Sequence, residues 1–126
     1  MINVIRTLLG TACALAAVSV LAAAETPASR EPSDMTVEER TTIMQRMNDY
    51  NTCVYKESMA RVDALPDIRQ AADEAMTACQ GTLDTVQTTI KGYHFSPEFA
   101  EQFLHHTQNR AVKMLIPELS LRKGGQ

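Results

Sequence analysis

Tryptophan is absent from this 126-residue chain, and the other rings are few, three Phe and three Tyr. A core with so little aromatic material must be packed largely with aliphatic side chains, Ala and Met. There is no internal repeat, no low-complexity block and no run with the period-2 alternation of a strand, which argues against a solenoid or a sheet protein. There is also no C-x-x-C pair, no G-x-S-x-G turn and no glycine-rich phosphate loop; Gly124-Gly125 falls at the tail. Paired acids such as Asp73-Glu74 and Glu38-Glu39 are sequence neighbours, not carboxyls opposed across a cleft. These absences leave no catalytic constellation, and the chain reads as a non-enzyme without a cofactor.

The N-terminus has the layout of an exported precursor. Arg6 supplies a short positive region, residues 8–21 carry no charge, and Ala22-Ala23-Ala24 forms an A-x-A-type cut site followed by Glu25 and Pro27. Residues 1–24 are therefore expected to be a cleavable secretory signal, with Cys13 discarded inside it. A retained anchor would need about 20 apolar residues, and residues 2–24 contain too much Ala, Thr, Ser and Gly to favour one. Nothing after residue 24 is apolar for long enough to span a bilayer, so no stable membrane span is expected after processing. Processing removes Arg6 and no acid, leaving eleven basic against fifteen acidic side chains. That balance disfavours nucleic acid as a partner, because non-specific binding there is driven by basic side chains neutralising phosphates. The expected location is periplasmic or secreted.

About 100 residues then form one domain. Residues 25–34, polar and proline-bearing, read as a flexible tether. Thr36-Val37-Glu38-Glu39 has the form of a capping box. From it Ile43, Met47, Tyr50, Val54, Ser58, Val62 and Leu65 recur at steps of three and four, predicting a helix over 36–64. Pro66-Asp67 breaks it and opens a second helix over 67–91, with a stripe of Ile68, Ala72, Ala75, Cys79, Leu83, Val86 and Ile90. Gly81 lies inside that pattern as a site for a kink or an early stop, and Gly92 fits a left-handed C-terminal cap. Ser96-Pro97-Glu98 starts a third helix over 97–116, with Phe99, Phe103, Leu104, Ala111, Met114 and Leu115 as its apolar positions. Pro117 is expected to stop it, leaving a frayed basic tail. The predicted fold is an all-α three-helix bundle whose first two helices form an antiparallel hairpin.

Two cysteines remain after processing. Cys53 stands 13 residues before Pro66 and Cys79 stands 13 after it, so a hairpin turning at Pro66 brings both to the same height. In an oxidising compartment that geometry predicts a disulfide.

Four groups of residues are candidates for function. Tyr93, His94, Phe95 and Phe99 concentrate aromatics on the connection before the third helix, where loops often anchor partners; the simpler account makes Phe95 a hydrophobic staple near Phe99. His94, Glu101 and His105 could be drawn as a metal site, although a fourth ligand is missing and His106 points about 100° away from His105 on a helix. Met44 and Met47, one turn apart, have the softness of copper(I) ligands, yet Met47 also sits on the core stripe. Arg110, Lys113, Arg122 and Lys123, against Glu118 alone, make a basic end suited to an acidic partner or lipid head groups. The expected role is an exported non-catalytic protein that binds another envelope or secreted protein as an inhibitor, immunity factor, adaptor or chaperone-like helper. The alternative is a periplasmic metal or small-ligand carrier.

Overall fold

The computed structural model describes residues 28–125; the expected signal segment lies outside them. Four helices form the bundle: α1 (Val37–Arg61), α2 (Ile68–Ala78), α3 (Gln80–Gly92) and α4 (Pro97–Gly124), preceded by a single 3-10 turn at Pro32–Asp34. Among the described residues there is no strand, only an isolated bridge between Arg30 and Phe95. Among the described residues no helix is long and apolar enough to cross a membrane.

The start signals act as their chemistry requires. Thr36 accepts from the Glu39 amide while Glu39 accepts from the Thr36 amide at 2.9 Å, closing the capping box. Asp67 accepts from the Arg69 amide at 2.8 Å, so it caps α2 from outside. Ser96 accepts from the Phe99 amide, with Pro97 at the first helical position.

α1 is the spine. Its stripe of Ile43, Met47, Tyr50, Val54 and Ser58 is buried, α2 and α3 return along it, and α4 closes the bundle by packing against α1, α2 and α3. The Cys53–Cys79 disulfide is formed, with Cα atoms 6.0 Å apart. α1 and α4 run in the same direction. Their late residues meet through Arg122 and Asp63 at 2.9 Å, and their early residues share a core of Ile43, Phe95 and Ala100. The larger core cluster lies toward the C-terminal ends and is rich in small side chains: Ala71, Ala72, Ala75 and Ala111 pack with Tyr50, Leu115 and Leu119. Alanine there lets helix axes approach closely, which is how a chain without Trp fills its interior.

Several expectations are corrected. The second predicted helix is two, and the break falls at Cys79 (φ −97°, ψ 11°), not at Gly81, which lies in the first turn of α3. The apolar stripe continues across the break because the Cys79 amide still donates to Ala75 and the Leu83 amide to Cys79. No described glycine takes a positive φ; Gly92 is still helical, and the left-handed residue at this corner is His94 (φ 63°). His is among the non-glycine residues that tolerate that region best.

The largest departure is at Pro117. The third predicted helix, α4 of the fold, runs through it to Gly124, and the basic tail is helical. Proline there removes the donor that the Lys113 carbonyl would otherwise receive, a cost of about 3 kcal/mol. Tertiary contacts offset it. Leu119 is fully buried, a gain of roughly 1.5–3 kcal/mol. Beyond it, the Lys123 ammonium donates to the Leu65 and Val62 carbonyls at the α1–α2 corner, beside the Arg122–Asp63 pair. Met114, expected on the apolar face, is 47% exposed, while Ala100, Thr107 and Leu119 complete the buried stripe.

Candidate functional site

The N-terminal segment expected as a tether is held to the bundle in its described part. Arg30 spans 2.6 and 3.0 Å to the two carboxylate oxygens of Glu39, and its guanidinium also donates to the carbonyls of Tyr93 and Asp34. Its own amide donates to the His94 carbonyl at 2.9 Å, and its guanidinium lies 4.9 Å above the Phe95 ring. The guanidinium bond, followed by the Thr36 amide, holds Glu39 down to a pKa of about 2.

This strap closes the aromatic corner. Phe95 is buried and meets Phe99 edge-on at 5.5 Å, as a staple does; Tyr93 is half-buried, Phe99 is partly covered, and His94 is exposed. The four residues are neighbours, but they form core and cap rather than an open apolar surface.

The proposed ion ligands are not gathered. Among the described residues no group of three or more His, Cys, Asp and Glu side chains is placed to hold a metal. Glu101 and His105 share a polar groove between α3 and α4, of about 600 Å³, walled by Gln80, Gln87, Gln102 and Gln108. His94 is not part of it, and the His105 ring is engaged by the Asn109 amide. Met44 and Met47 diverge, the first exposed and the second buried in the core.

A different site emerges along the seam between α1 and α4. Five large apolar side chains are exposed among the described residues, from 43% at Met44 to 75% at Val37. All five lie on two lines. Val37, Met44 and Tyr55 are seven and eleven residues apart on α1, within about 20° of one another around the helix. Met114 and Leu121, seven residues apart, repeat the pattern on α4. Where the lines come together, at Tyr55 and Met114, lies a groove of about 640 Å³, with Ala111 and Leu115 beneath and Tyr55, Met114 and Pro117 along its edges. Asn51 also lines it, and its Oδ1 is buried without a hydrogen-bond partner. Isolated exposed apolar residues are ordinary, but a clustered set flanking a concavity marks a binding surface.

The charges around this seam are selective. Arg122 is engaged by Asp63, whose hydrogen bond raises its pKa, and Lys123 by backbone carbonyls. Arg110 and Lys113, on the outer edge of the α4 line, make no side-chain bond or ion pair with any described residue.

Sequence reasoning placed Met114 in the core and passed over Val37, Tyr55 and Leu121. The signal was present as a second line of apolar residues, roughly 100° around α1 from the core stripe, spaced by whole pairs of turns. No protein-family model, curated protein or solved structure matches the chain.

Proposed function

We propose that this protein is exported and works outside the cytoplasm as a non-catalytic binding module, gripping another envelope or secreted protein in the α1/α4 groove. One observation carries the reading: every large apolar side chain exposed among the described residues flanks that seam. Full burial of such a side chain is worth about 1.5–3 kcal/mol, and the part still in water, from 43% at Met44 to 75% at Val37, is what a partner recovers on binding. The disulfide and the Arg30 strap suit this role, since a rigid groove spends little ordering entropy on binding.

The test is a photo-crosslinking residue at Met114, with a control at exposed Thr88 on α3, in the processed protein within its native envelope. The expected result is one discrete adduct from position 114, lost on Tyr55→Lys, and none from position 88. Matching adducts at both positions, or none at 114, would overturn the proposal.

A further inference from the structure

The seam has a length, a polarity and a charged edge, and together these describe an occupant. Resting on the groove reading above, we infer that the segment bound there is an amphipathic helix of about 18 residues with acidic side chains along one border of its apolar stripe.

The length comes from α1. From Val37 to Tyr55 the exposed line covers about 27 Å at 1.5 Å per residue, so a helix laid along it needs a comparable number of residues. Its shape comes from the two walls. Helices that run side by side leave a trough between their ridges, and a third helix seats in such a trough with its axis about 8–10 Å from each neighbour. Apolar anchors at positions i, i+4, i+7 and i+11 of the incoming helix cover the roughly 16 Å from Met44 to Tyr55, with Met114 lining the same groove as Tyr55. On α1 the residues between the exposed apolar positions are Arg40, Thr41, Asn48 and Asn51, so that wall carries no acid that would repel a partner's carboxylates.

The charge comes from α4. Arg110 and Lys113 stand unpaired at its outer edge, and Glu118 is the one acid that lines the groove. The full chain carries an excess of acid, so this basic edge is a local reversal that a partner's carboxylates would meet. An anionic lipid surface shares part of that chemistry, but a bilayer is met by a protruding apolar face, whereas the apolar floor here is recessed between two walls.

The experiment titrates purified protein, disulfide intact, with three 18-residue peptides. The first is an amphipathic Leu/Ala/Gln helix with Glu along one border of its stripe. The second replaces Glu by Lys, and the third scrambles the first. Binding is read by amide shift changes and by affinity at low and high salt. Arg110→Glu/Lys113→Glu is the companion variant, its fold verified by an unchanged melting temperature. The expected result is saturable binding of the acidic peptide with shifts confined to residues 44–55 and 110–121, weakened roughly tenfold in the variant and by salt. The Lys peptide binds the wild type less well and gains on the variant.

Equal binding of the acidic and basic peptides would overturn the charge assignment while leaving the groove reading intact. No peptide binding, combined with dimer formation or with binding to phosphatidylglycerol vesicles that Met114→Lys abolishes, would overturn the helix as occupant. No binding of any probe, together with no Met114 adduct, would remove both.

Discussion

The two flanks of α1 are finished differently. On one, α2 and α3 cover the spine, bury Ala72, Ala75, Cys79, Leu83 and Val86, and are joined to it covalently through Cys53. On the other, α4 lies parallel to α1, buries Ala100, Thr107, Ala111, Leu115 and Leu119 along its length, and still leaves apolar side chains in water beside a groove on the α1 seam. The difference teaches that a helix can be anchored in the core through one face while a second line of apolar residues beside the seam stays in water.

The comparison breaks most sharply at the sulfurs. Cys53→Ser/Cys79→Ser should cost about 3.5 kcal/mol, because the bond closes a loop with a separation of 26 residues in the unfolded chain. Denaturant unfolding under oxidising conditions measures it; a loss below about 1 kcal/mol would mean that the covered flank holds without its staple. Next comes the anchor of the open flank. Leu119→Ala should cost about 3 kcal/mol and release the turn of α4 beyond Pro117, seen as lost helical shifts over 118–124. Helix persisting there would assign that turn to local propensity instead of packing.

Much smaller effects are expected on the seam itself. Tyr55→Lys/Met114→Lys should change unfolding free energy by no more than about 0.5 kcal/mol per site, since neither side chain is buried. A large loss would place both in the fold and weaken the case that they wait for a partner. Smallest is the strap. Glu39 has its pKa depressed to about 2 from an ordinary 4.5, so its contribution is complete above the ordinary value and disappears as pH falls through 2. Wild type should therefore lose stability between pH 4.5 and 2 more steeply than Glu39→Gln, followed by urea midpoints across that window. Parallel curves would show that Arg30 and Glu39 gain nothing from their charges.

How much of this was legible follows the range of the forces involved. The caps at Thr36 and Ser96 and the core stripes of α1 and of the α2–α3 pair could be read directly, because each is decided within a few residues. The disulfide was legible from the equal spacing of Cys53 and Cys79 about Pro66, although the two cysteines are far apart in sequence. The candidate site was not. Met114 has the spacing of a core residue, and only the lateral position of α4 against α1 decides that it faces outward. Arg30 likewise has no local signature: its partners Glu39, Tyr93 and Phe95 converge on it only in the folded chain.

By itself, then, the sequence determined that this chain is helical, where α1, α2 and α4 begin, and which cysteines face each other. These follow from periodicity and hydrogen bonding over one or two turns. The tertiary structure alone decided that α4 runs on past Pro117 and which apolar residues remain in water. Pro117 is locally a stop signal. A buried Leu119 and a lysine donating to carbonyls nearly sixty residues away outweigh it, because a local penalty of about 3 kcal/mol is within reach of a few long-range contacts.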